Sequence, residues 1–198
     1  MGDIMKKLIL KRIGAYLIDF IIVTLIISII TIKFTTNNKI IDKLNELVVS
    51  VNNNEITMQE YSDKMLNLNY EYKKSTITLT VVNVLVNFSY FIIFATLNKG
   101  QTFGKMIFKI KVVNKKGNEP CILNMFIRSI FLYGILMGIV SIIGVKVFNA
   151  KTFNYVDTTF DYINNLFIIV CFFMVIKRKD GRGLHDMMAG TSVIGEEK

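Results

Sequence analysis

A single aspartate interrupts an apolar run of twenty residues, Ile13 to Ile32 (IGAYLIDFIIVTLIISIITI). The run is long enough to cross a bilayer as a helix, and Asp19 is its one charged side chain. Placing a carboxylate in a membrane helix costs about 2.5–3.5 kcal/mol on insertion-derived scales, so such residues usually face a bundle interior and carry a role. Arg12 lies seven residues earlier, at the edge of the run. Seven residues are about two helical turns, which puts Arg12 and Asp19 on one face, roughly 10 Å apart along the axis. A membrane protein that spends charge in this way handles something polar.

A second polar face lies further along. Asn83, Asn87 and Tyr90 follow i, i+4, i+7 spacing within the uncharged segment 77–97 (ITLTVVNVLVNFSYFIIFATL). Counted from the inner end of each span, Tyr90 lies at nearly the depth of Asp19, and Asn87 about a turn further out. Such side chains either tie helices together through hydrogen bonds or line a cation path.

Other chemistries are excluded. GQTFGK has three residues between Gly100 and Gly104 where a phosphate-binding loop needs four, and Met106 follows Lys105 where that loop needs Ser or Thr. His185 is the one histidine, so neither a zinc set nor a Ser-His-Asp or Cys-His arrangement can be assembled. Cys121 and Cys171 fall in different settings and do not read as a disulfide pair. No enzyme, metal or cofactor is expected.

The elements that must hold these residues are membrane helices. Hydrophobic residues make up 52% of the 198, with one proline, a composition that suits a polytopic membrane protein better than a soluble domain. The expected fold is all-α, a single membrane domain over 1–198. It has about four transmembrane helices, near 13–32, 77–97, 129–148 and 160–176. The first is read as an uncleaved span rather than a signal peptide. The third carries Gly134 and Gly138 in GxxxG register for close helix packing. Segment 98–128 has seven Lys and Arg against Glu119 alone, whereas the positives in 33–76 are matched by acids. The positive-inside rule then puts both termini and 98–128 in the cytoplasm. The net charge of +9 is explained by anchoring to anionic membrane lipids, with no call for nucleic acid.

Two loops have their own order. The extracytoplasmic insertion 33–76 reads as a helical hairpin. Ile40, Ile41, Leu44, Leu47 and Val48 form one stripe, Asn52 to Asn54 break it, and Thr57 with Glu60 forms a capping box ahead of Met58, Tyr61, Met65, Leu68 and Tyr72. In the cytoplasmic segment Phe108, Ile110 and Val112 alternate with Lys109 and Lys111, read as a basic element lying in the membrane interface. A turn at Asn114–Asn118 and a helix running into Arg128 follow.

Three pieces together, KRIGAYLIDF, GQTFGKMIFKIKVV and GLHDMMAGTSVI, resemble the RDD family of bacterial membrane proteins, named for one arginine and two aspartates. The resemblance assigns those positions to Arg12, Asp19 and Asp186. It places Thr102, Gly104 and Lys105 in the family's T-x-G-K segment, and Arg128 as the arginine leading into the next helix. His185 accompanies Asp186. The long insertion departs from compact members. The family implies transport of poorly defined ligands, with sodium–proton exchange for some members. The physics fits, because a carboxylate starved of water holds a proton or a small cation, not both.

The expected function is therefore a small, homo-oligomeric transporter exchanging a monovalent cation for a proton at Asp19. Asn87 and Tyr90 would supply neutral oxygens, and Arg12 with Asp186 would form a cytoplasmic gate. The alternative is a non-transporting accessory or scaffold protein in which Arg12, Asp19 and Asp186 form a structural ion-pair network.

Overall fold

The computed structural model describes residues 2–32, 34, 38–53 and 55–196. The chain is a helix bundle capped at one end by a two-stranded ribbon and at the other by a helical hairpin. The first span lies in the helix α1 (Gly2–Thr31). The hairpin is α2 (Asn38–Asn52) and α3 (Met58–Ser75). Asn54 of the expected break lies outside the described residues. The second span is α4 (Ile77–Phe88), continued by a wider π turn over Ser89–Phe94 into α5 (Ala95–Leu97). Then come the short α6 (Phe103–Ile107), β1 (Ile110–Asn114), α7 (Ile122–Leu132), α8 (Ile135–Val147), α9 (Ala150–Lys177), α10 (Leu184–Ala189) and β2 (Thr191–Gly195).

Three helical stretches, Lys6–Thr31, Ile77–Leu97 and Ala150–Lys177, are long and apolar enough to cross a membrane. A fourth candidate span is a bent pair of helices rather than the one helix expected over 129–148. It is broken at Tyr133–Gly134, where α7 meets α8 at 71°. Gly134 has φ +67°, a left-handed conformation that other residues adopt only with strain. The GxxxG pair therefore splits into two roles. Gly134 makes the corner, and Gly138 lets α8 approach α4, since a Cβ there would sit 2.2 Å from a Val84 methyl.

The last long helix also departs from expectation, starting at Ala150 rather than near 160. Asn149 caps it, its Oδ1 accepting from the Thr152 amide at 2.9 Å. Its polar first turns are held by α3. Asn154 donates to the Leu66 carbonyl at 2.8 Å, Lys73 pairs with Asp157 at 3.0 Å, and the Tyr70 hydroxyl reaches the Val145 and Phe148 carbonyls at 2.9 and 3.2 Å. The hairpin thus docks on the bundle. Thr57 and Glu60 close the expected capping box, with bonds of 2.9 and 3.2 Å.

The basic segment has more structure than a single amphipathic stretch. It folds into α6 and β1, and β1 pairs antiparallel with β2, Ile110 opposite Gly195 and Val112 opposite Val193. The alternation of Ile110 and Val112 with Lys109 and Lys111 is a strand pattern. The apolar members are buried in the main core with Ala15, Ile92, Ala95, Met125 and Ile135.

Close approach positions α6 on α1. A Cβ on Gly104 would fall 2.2 Å from the Ala15 carbonyl oxygen and 2.8 Å from Asp19 Oδ1. Backbone cannot move aside as a side chain can. Gly104→Ala is therefore expected to lower stability by about 1–3 kcal/mol, the usual cost of overpacking, read as a lower thermal midpoint of the purified protein. An unchanged midpoint would mean that α6 does not seat against α1.

Candidate functional site

Two buried charge centres occupy the ribbon end of the bundle. The first is Asp19, 1% exposed on α1. Every hydrogen bond around it is donated to it. Its Oδ1 accepts from the Tyr90 hydroxyl at 2.7 Å and the Gly104 amide at 2.8 Å, and its Oδ2 from the Thr102 hydroxyl at 2.5 Å. Tyr90 stands in the π turn of the second span. Such turns displace a residue from regular helical register and recur at functional sites. The Phe103 amide donates to the Tyr90 oxygen at 3.2 Å, which leaves the phenol proton free for Asp19.

Lys105 completes this centre. Its Nζ donates to Thr102 Oγ1 at 3.1 Å and stands 3.8 Å from Asp19 Oδ2. It is 7% exposed. Burial pushes the ammonium down to about 8, against the pull of Asp19, and the cations of Arg128 and Arg12 push the same way. A lysine held there changes charge near neutrality.

The second centre is Asp186, wholly buried at the N-terminal end of α10. Arg12 Nη2 donates to its Oδ2 at 2.7 Å, and the Gly183 amide donates to the same oxygen at 3.2 Å. Its Oδ1 accepts from Arg128 Nη1 and, at 3.3 Å, from the Thr191 hydroxyl. Arg12 also donates to the Gly181 carbonyl. One carboxylate therefore joins α1, α7, α10 and β2. His185 Nε2 lies 3.3 Å from Asp186, and its buried Nδ1 has no hydrogen-bond partner among the described residues. Burial and the cations of Arg128, Arg12 and Lys105 push its imidazole down to about 2, so it stays neutral at physiological pH.

A cavity of about 290 Å³ joins the two centres, lined by Arg12, Asp19, Lys105, Arg128, Tyr133 and His185 among others. With Asp186 the cluster counts three cations against two carboxylates. Among the described residues no group of three or more His, Cys, Asp or Glu could hold a metal ion.

Most of the residues singled out from sequence meet here: Arg12, Asp19, Tyr90, Thr102, Gly104, Lys105, Arg128, His185 and Asp186. The family model for RDD matches residues 7–190, nearly the whole chain. The chain belongs to the RDD family. No curated protein and no solved structure matches it.

Some details of this RDD protein differ from the sequence reading. Arg12 and Asp19 share a helix face but serve different centres. Asn87 supplies no oxygen to Asp19. Its amide donates to the Asn83 carbonyl and side chain, both at 2.9 Å, because it stands a turn further from the ribbon end than Tyr90. Asp186 is shared by Arg12 and Arg128 rather than paired with Arg12 alone. Thr191 and Tyr133 went unnoticed. Thr191 had a visible signal, being the first residue after the glycine that ends α10.

Proposed function

We propose that this RDD protein is a multi-pass cell-membrane transporter that exchanges a monovalent cation for a proton at the Asp19–Lys105 pair. The observation that carries this reading is that a buried ammonium and a buried carboxylate share one hydroxyl, Thr102. While Lys105 holds its proton, it neutralises Asp19. Once the proton leaves, the carboxylate charge is uncompensated, and the oxygens of Asp19, Thr102 and Tyr90 form a hard-oxygen site of the kind small cations take. The proton departs as the cation arrives, so the charge of the site is unchanged and the exchange is electroneutral at this point.

A route from the other side supports the reading. Thr76, Thr80, Asn83, Asn87 and Tyr90 follow one helical face of the second span. They lead from a cavity of about 380 Å³ at the hairpin end, lined by Asp157 and Asp161, towards Asp19. The charge pattern favours both termini and the ribbon end in the cytoplasm. Four crossings are few to enclose a path, so the working unit is a homo-oligomer.

The test is reconstitution in vesicles with an internal pH dye and addition of sodium, potassium or lithium. Exchange should rise as pH increases through about 8, because below that value the ammonium occupies the carboxylate. Lys105→Arg, charged at every working pH, should keep the ion pair and lose the exchange. A flat pH profile, or full exchange in Lys105→Arg, would sink this mechanism.

One observation favours the second reading, a non-transporting accessory or scaffold protein. Asp186 ties four elements together with no open valence for chemistry. In that reading both centres are structural, and folded protein shows no cation-dependent pH change.

A further inference from the structure

The 290 Å³ cavity has a shape that cation exchange does not use. Its floor is cationic and its flanks are apolar. On one side stand Ile13 and Tyr16 of α1, and on the other Ile168, Phe172 and Val175 of α9. Ile13, Tyr16, Ile168 and Phe172 are 36–52% exposed, on two helices long and apolar enough to cross the membrane. The cavity therefore opens sideways, between two helices, towards lipid.

Depth and charge agree with that opening. Arg12 immediately precedes the apolar run of α1, and Val175 lies two residues before the end of α9. Both mark the membrane boundary, where lipid headgroups lie. Ile168 is seven residues deeper, roughly 10 Å at the rise of an α-helix. Arg12 thus sits at headgroup level, and the walls at Ile168 and Phe172 reach the level of the upper acyl chain. Arg12, Arg128 and Lys105 outnumber Asp19 and Asp186 by one charge. An excess cation away from water is relieved by an anion, and basic pockets between membrane helices take anionic headgroups. A volume of 290 Å³ is at the small end for ligand pockets. It fits one headgroup and the top of one chain, with the rest of the molecule left in the bilayer.

We infer that the crevice between α1 and α9 is a binding site for one anionic phospholipid, its phosphate facing Arg12 and Arg128 and one chain lying against Ile168 and Phe172. This site supplies the negative charge that the cluster lacks. It does not depend on the exchange reaction.

The experiment compares phosphatidylglycerol, phosphatidylcholine and inorganic phosphate added to the purified protein in a neutral detergent. Thermal midpoint and native mass spectrometry are the readouts. Phosphatidylglycerol should raise the midpoint by a few degrees more than phosphatidylcholine and leave a one-to-one adduct. Phosphate alone should do neither. Ile168→Trp and Val175→Trp, which fill the crevice without touching a charge, should each remove the phosphatidylglycerol-specific rise. Equal effects of the two lipids overturn the proposal, as does a full response in a folded filled variant. An equal rise with phosphate alone would mean a free-anion site and also overturn it. The wild-type arms decide the matter even if neither variant folds.

Discussion

Asp19→Asn is expected to reduce cation-coupled proton movement to the level of empty vesicles, with a stability loss of about 1–3 kcal/mol. The two effects have separate causes. A carboxamide has one acceptor oxygen where the carboxylate has two, and Asp19 receives the Tyr90 and Thr102 hydroxyls and the Gly104 amide. The new NH₂ must face one of those donors, which is then left buried without a partner. The transport loss follows from charge, because a neutral group neither holds the Lys105 ammonium nor replaces it with a cation. Asp19→Asn combined with Lys105→Met separates the roles. Removing both members of a buried pair costs less than removing one, so the double variant should regain much of the thermal midpoint and none of the exchange. Exchange that returned with stability would show that the pair is structural, and the accessory reading would gain.

The membrane helices were legible in the sequence because their signal is local. A run of twenty apolar residues has few other uses, and the stripes of α2 and α3 need only helical periodicity to be seen. What escaped depended on partners far along the chain. The first turns of α9 look like a loop because Lys151, Asn154 and Asp157 are polar, yet Asp157 is matched by Lys73 and Asn154 by the Leu66 carbonyl. The bend at Gly134 was hidden behind a second plausible use for the same glycine. The ribbon requires Ile110 to meet Gly195, a pairing that no window of sequence contains.

The candidate site divides in the same way. Asp19 announces itself, since an intramembrane carboxylate is expensive and needs a reason. Helical phase correctly groups Arg12 with Asp19 on one face, but phase does not choose partners. Arg12 turns to the tail and Asp19 to the T-x-G-K segment. Asn87 fits the same periodicity as Tyr90 and still misses Asp19, because reach depends on the π turn that displaces Tyr90. The buried state of Lys105 was the least legible feature. A lysine in a segment with seven positive charges reads as an anchor to lipid, and only the packing of α6 on α1 takes it out of water.

Asp186→Asn is expected to be the most destabilising single change in the chain. Asp186 is the counter-ion of Arg12 and Arg128, both shielded from water with side chains 12% and 6% exposed. Breaking a buried ion pair by removing one partner costs about 3–5 kcal/mol because a charge is left without compensation, and here one substitution strands two. Asparagine also presents an NH₂ to donors on α1, α7, β2 and the Gly183 amide. Loss of the monodisperse peak on size-exclusion chromatography, or a collapse of the thermal midpoint, is the expected reading. Arg12→Met should be milder, since it leaves Asp186 and Arg128 as a balanced pair. The reverse order of severity would mean that the clamp is centred on Arg12. A folded Asp186→Asn protein that had lost exchange would place Asp186 in the cation path, as a gate at its ribbon end, and would move the structural burden to the contacts of α6 with α1.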